Sequence, residues 1–182
     1  MGLKNTSERY GSLSIAMHWL MLLLIIAVYA AIECREFFPK GSDPRNAFKA
    51  WHFSLGLSVF CLVWLRLLLK LTQISPRIIP APENWQLKLA KALHFGLYLL
   101  MFVMPVLGWL VLSGEGKDVL FFGLSLPPLT GENKELAGIF KEVHEIFGTT
   151  GYVLIAIHAG AALVHHYVLK DNTLLRILPG KR

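Results

Sequence analysis

Hydrophobic and polar positions along the chain fall into long blocks. They show neither the two-residue alternation of a half-buried strand nor the one-sided stripe of a soluble helix. Four apolar runs stand out: Leu13–Ile32, Ala50–Leu69, Ala92–Leu112 and Ile146–Leu169. A bilayer's hydrocarbon core, about 30 Å thick, takes about 20 helical residues to cross. Runs of this length are too long for strands, and only helices or closed barrels satisfy the backbone in lipid. The pattern predicts an all-α integral membrane protein, a four-helix transmembrane bundle forming one domain over residues 1–182. Composition agrees, since only 16% of residues are charged against about a quarter in soluble domains. The net charge of +6 sits on basic residues that flank the apolar runs. That placement suits anchoring at a lipid interface and not nucleic-acid binding.

Lys4 and Arg9 ahead of the first run imitate a signal peptide. The run is longer than a typical signal core and holds the polar pair His18-Trp19, so it reads as a retained span. Lysine and arginine number 11 in the two tails and the second connection, against 7 in the first and third connections, while the acids divide 3 to 9 the other way. Both termini are therefore expected on the cytoplasmic side. Pro105 is expected to kink the third span. The second connection, "TQISPRIIPAPENW", reads as extended. The apolar stretch "VLFFGLSLPPL" in the third, broken by Gly and Pro, is expected to lie at the outer interface. Cys34 and Cys61 form no CxxC pair, so neither a disulfide framework nor a zinc site is indicated.

All seven histidines, His18, His52, His94, His144, His158, His165 and His166, lie in or at the edge of a span. Ionisable groups inside a membrane point to function by default. His52 and His144 fall near the outer surface and can share one level. His18 and His158 fall toward the cytoplasmic side and can share a second. His144 and His158 differ by about 40° around one helix and by about 21 Å along it. One helix thus offers two imidazoles to one side, and two other helices each supply a partner. This is the arrangement required by two stacked b-type haems, each with two axial histidines. Gly56, Gly148, Gly151, Ala159, Gly160, Ala161 and Ala162 would leave room for a porphyrin, although small residues also serve helix packing in membranes.

His165 returns to the face of His158 and could replace it as ligand. His158 is preferred, because pairing levels through His144 and His165 would separate them by about 31 Å, a full hydrocarbon thickness. His94 and His165 are candidates to hydrogen-bond a quinone and supply protons. His166 has no assigned role. Arg45 and Lys49 precede His52 and Lys141 precedes His144, so a local positive cluster could attract a small anion at the outer site.

The segments "SIAMHWLMLLL", "ECREFFP", "RLLLKL" and "HEIFGTTGYVLIAIHAGAALVHHYVLKDNTLLRILP" resemble the bacterial cytochrome b-561 family, small dihaem cytochromes of the inner membrane. The resemblance covers nearly the whole chain, and its most specific part is the ending "HAGAALVHHYVLKDNTLLRILP". It implies two haem b groups, with His18 paired to His158 and His52 to His144. It also implies superoxide oxidation outside with ubiquinone as acceptor, and a quinone region that includes His94 and His165. The outer loop "SGEGKDVLFFGLSLPPLTGENKEL", where a periplasmic donor would approach, is less alike. Two other readings compete. One is a membrane-anchor cytochrome b subunit relaying electrons between quinone and a partner dehydrogenase or hydrogenase. The other is a histidine-lined transporter or metal carrier without haem.

Overall fold

In the computed structural model, which describes residues 2–180, the four apolar runs are helices. They are α1 (Ser12–Cys34), α2 (Asp43–Thr72), α3 (Asn84–Gly114) and α4 (Lys134–Tyr167). Each is long and apolar enough to cross a membrane. A single 3-10 turn, Arg35–Phe37, follows α1, and a short hairpin of β1 (Val119–Phe121) and β2 (Leu124–Leu126) precedes α4. Lys181 and Arg182, counted among the basic residues of the C-terminal tail, lie outside the described residues.

The helices outrun the apolar windows at their polar ends. α2 begins at Asp43 and not near Ala50, α3 at Asn84 and not near Ala92, α4 at Lys134 and not near Ile146. Hydrogen bonding within a helix continues into water, so hydropathy marks the part that can sit in lipid and not the part that is helical. The helices expose Leu23, Ile26, Trp64, Leu68, Val153 and Ile157 by half or more of their surface. Large apolar side chains exposed along every span are unusual in a soluble monomer, whereas lipid is a natural partner for them.

Contacts divide the chain into two units. One draws on Met1–Leu20, Val63–Leu99 and Thr150–Arg182, the other on Met21–Leu62 and Leu100–Thr149. Each therefore contains a section of every helix.

In the first unit the polar tails knit the segment after α2 into place. Asn5 donates through its backbone to Gln73 Oε1 at 2.8 Å and through its side chain to the Ile74 carbonyl at 2.9 Å. Its own Oδ1 accepts from Gly11 N and Ser14 Oγ. Asn172 holds Ile79 by a pair of bonds, N to O at 3.0 Å and Oδ1 from N at 2.9 Å. Arg176 donates to the Pro76 carbonyl, and Trp19 Nε1 to the Ile177 carbonyl at 2.9 Å. The Pro-rich connection, read from the sequence as extended, has no regular secondary structure, and its carbonyls are claimed by side chains from both tails.

In the second unit the buried core gathers Leu57, Leu112 and Val119, with Phe53, Trp109, Phe121 and Leu126 against them. The hairpin thus packs on α2 and α3. Its two-residue turn, Phe122-Gly123, has both residues at positive φ, the geometry that matches strand twist in tight hairpins. Ser54 Oγ accepts from Phe122 N at 3.1 Å, fixing the turn to α2. The sequence did not anticipate these strands.

A methyl group at Gly11 would meet the Leu3 carbonyl oxygen at 2.3 Å and the Lys4 carbonyl oxygen at 2.5 Å. Gly11→Ala should therefore undock the N-terminal tail, at a cost of about 1–3 kcal/mol typical of overpacking. The expected signature is faster tryptic cleavage after Lys4 and Arg9 with the helices intact. Unchanged cleavage would contradict the packing.

Candidate functional site

In the second unit α2 and α4 bring His52 and His144 together, with ring centres 6.2 Å apart and planes inclined at 74°, edge to face. His52 Nδ1 lies 3.0 Å from the Val28 carbonyl of α1. A carbonyl can only accept, so Nδ1 carries the proton and Nε2 keeps a free lone pair. Metal-bound histidines are held in the same way, by a bond from the ring N–H that faces away from the metal to a fixed acceptor. His144 lies against Gly108, whose missing side chain leaves a Cβ position 3.4 Å from His144 Cε1. The Nδ1 of His144 is buried without a hydrogen bond of normal geometry, the Met104 carbonyl acting on it electrostatically.

In the first unit α1 and α4 bring His18 and His158 together, again with centres 6.2 Å apart, at 56°. Arg66 of α2 lies with Nη2 3.0 Å from His18 Nδ1. His94 of α3 packs edge-on against His158 at 5.1 Å, its Nδ1 bonded to the Ala90 carbonyl at 2.6 Å.

These separations discriminate between arrangements. A metal–imidazole bond of about 2.0 Å, plus about 1.1 Å from nitrogen to ring centre, puts two rings on opposite sides of one metal about 6.2 Å apart. His52–His144 and His18–His158 match that span; His94–His158 is about an ångström too short and is a ring contact. Among the described residues no group of three or more His, Cys, Asp or Glu could hold a bare metal ion. Two imidazoles suffice only if another group fills the remaining positions, as a porphyrin does, so these residues fit a haem.

The small residues near the histidines divide by role. A Cβ on Gly56 or Gly160 would meet nothing within 4 Å, so both border open space. Gly148 instead packs: its carbonyl accepts from Tyr29 Oη at 2.8 Å, and its Cβ position is 3.5 Å from Met104.

His94 and His165, the candidates for a quinone, each have a neighbour of their own. His94 joins His158, and His165 holds Asp171, with Nδ1 2.5 Å from Oδ2. The spacing argument missed Asp171 because it lies beyond the end of α4, where the chain turns back through Lys170 at positive φ. The Asp171 side chain is 3% exposed and that of His165 20%. His166 packs its ring against Tyr167 at 4.7 Å.

The proposed anion-attracting cluster is largely in use. Arg45 is buried, its Nη2 gripping both Glu36 oxygens at 2.9 and 2.8 Å and its Nη1 donating to the Arg35 and Phe38 carbonyls. It closes the connection between α1 and α2, with a neighbouring carboxylate offsetting its charge. Lys141 lies 3.8 Å from Glu145. Lys49, half-buried, makes no ion pair among the described residues.

The family model for prokaryotic cytochrome b561 matches residues 9–180. The chain is 40% identical over 175 residues to cytochrome b561 homolog 1 of Escherichia coli, covering 96% of this chain and 99% of that one. It is also 40% identical over 175 residues to the probable superoxide oxidase CybB of Yersinia pestis, covering 96% and 98%. Cytochrome b561 homolog 2 of Escherichia coli is 29% identical over 182 residues, covering 98% and 95%.

Burial acts to raise the Asp171 carboxyl, but hydrogen bonds from His165 and Thr173 outweigh it and hold the group below its ordinary range. A depressed carboxylate stabilises the fold above its unfolded pKa of about 4 and loses that contribution as pH falls through the folded value. Thermal midpoints should therefore drop below about pH 4, and Asp171→Asn should flatten that part of the profile. An unaltered profile would remove the carboxylate from the account.

Proposed function

Starting from a chain that belongs to the prokaryotic cytochrome b561 family, and so is a multi-pass membrane haem protein, we propose a dihaem oxidoreductase that oxidises superoxide and reduces ubiquinone. The observation that carries this reading is the pair of 6.2 Å imidazole facings, one in each unit. In the net reaction two superoxide ions each give up one electron and leave as dioxygen, and ubiquinone takes those two electrons and two protons. A b-type haem closed by two histidines supplies one-electron transfer and offers no open position for oxygen.

The chain's own residues divide the remaining work. His52 and His144 would hold one haem, His18 and His158 the other. Val28 fixes the orientation of the His52 ring through its carbonyl. The basic tails and second connection favour placing the termini, and with them His18 and His158, on the cytoplasmic side. The opposite, periplasmic side then carries Lys49, whose charge would draw a small anion. The name carried by the Yersinia pestis relative supports superoxide as that anion.

On the quinone side Asp171 holds the Nδ1 proton of His165, which leaves Nε2 to take or give a proton at a quinone oxygen. His94 lines the same unit beside His158.

Superoxide generated in solution should reduce the purified protein, and added ubiquinone should then reoxidise it. A protein that stays oxidised under superoxide would leave the anchor-subunit reading. His165→Ala should keep both haems while slowing ubiquinone reduction about 10²-fold or more, the scale of a lost general acid. Haem loss there would make His165 a ligand.

His18→Ala and His158→Ala should each lower the haem-to-protein ratio from two toward one, by pyridine haemochrome assay. His52→Ala and His144→Ala should each remove the other haem. Loss from His94→Ala equal to that from His18→Ala would overturn the pairing.

A further inference from the structure

His18 and His52 are backed by opposite kinds of group. His52 Nδ1 faces a carbonyl, which only accepts, and His18 Nδ1 faces the Arg66 guanidinium, which only donates. His18 therefore accepts at Nδ1 and carries its proton on Nε2. A neutral imidazole that binds metal through Nε2 carries its proton on Nδ1 and needs an acceptor there. Arg66 cannot be that acceptor, so ligation by His18 must release this bond. The released guanidinium is half-buried, always charged, and has no carboxylate within ion-pair distance among the described residues.

Both contrasts bias electron affinity the same way. An acceptor behind a ligating imidazole raises its basicity and favours the oxidised metal. A fixed cation beside the site favours the reduced form, which carries one positive charge fewer. We propose that Arg66 is a positioning residue that makes the His18–His158 site the higher-potential, electron-accepting one of the two. This rests on the reading of each histidine pair as a haem site.

Lys70 provides the comparison. It lies on the same helix and carries the same charge, but its Nζ rests 4.6 Å over the Tyr98 ring. The experiment is a potentiometric titration of the purified full-length protein, following the reduced b-type absorbance band, together with the haem-to-protein ratio. The unsubstituted protein should titrate in two one-electron steps, and His52→Ala identifies which step belongs to His18–His158. Arg66→Gln should lower that step by at least tenfold in its reduction equilibrium, about 59 mV for one electron, and leave the other in place. Arg66→Lys should retain most of the original potential, and Lys70→Gln should move it by less than half as much as Arg66→Gln.

Equal movement of both steps, movement of neither, or an equal effect from Lys70→Gln would overturn the proposal. If Arg66→Gln loses one haem, Arg66→Lys decides: two haems at near-original potentials support the role of the charge, and loss there too refutes it. A single step at a haem-to-protein ratio of two would likewise overturn it, whereas a ratio below two in the unsubstituted protein would instead sink the two-pair reading from which the proposal starts.

Discussion

Each nitrogen that a buried imidazole leaves unpaired is destabilising, and much of the site architecture answers that constraint. An unpaired polar group in an apolar medium costs several kcal/mol. His52 spends Nδ1 on the Val28 carbonyl, His94 on the Ala90 carbonyl, His18 on Arg66 and His165 on Asp171. For His52, whose Nδ1 partner is a carbonyl, the second nitrogen keeps its lone pair, free to bind a metal. His144, whose Nδ1 lacks a well-formed bond, sits where Gly108 lets its ring approach. The same requirement orders the connections. The irregular segment after α2 and the turn between α1 and α2 carry carbonyls that no helix claims, and Asn5, Asn172, Arg176 and Arg45 are spent on them.

This accounting explains why some charges that look available in the sequence are not. Arg45 stands a few residues ahead of His52, and position alone recommends it for attracting an anion. Its four hydrogen bonds to Glu36, Arg35 and Phe38 give it a different task, because a buried guanidinium with five donors is satisfied only by converging acceptors. Lys49 has a single flexible ammonium and no such partners, so it keeps the charge that its neighbour surrenders.

Four helices, and the pairing of His18 with His158 and of His52 with His144, were legible because both depend on local, periodic properties: the length of an apolar run and a rise of about 1.5 Å per residue. Helix ends at Asp43, Asn84 and Lys134 were not, since nothing in hydropathy stops a helix at the edge of lipid. The hairpin was missed because its strands are three residues each and their stability comes from Leu57 and Leu112 beneath them, not from their own pattern. His94 and His165 were placed on one side of the membrane, but depth says nothing about which neighbour each ring takes. His94 turns toward His158, and His165 toward an aspartate reached only after the chain reverses at Lys170. The spacing argument could never have produced Arg66, which reads in the sequence as one more basic residue at a membrane edge.

The two sites exchange the roles of α1 and α2 while α4 keeps its own. In one, α1 gives the imidazole, His18, and α2 gives the group behind it, Arg66. In the other, α2 gives the imidazole, His52, and α1 gives the group behind it, the Val28 carbonyl. In both, α4 supplies the facing histidine. The exchange is unequal in one respect. A backbone carbonyl persists whatever side chain occupies residue 28, so single substitutions cannot change the chemistry behind His52. Arg66 is a side chain, and its charge, reach and donor set are open to substitution. A chain built this way holds the environment of one histidine pair constant and leaves the other adjustable. On the proposed dihaem reading one adjustable site is enough to set the direction of electron flow, because direction depends only on the difference between two potentials.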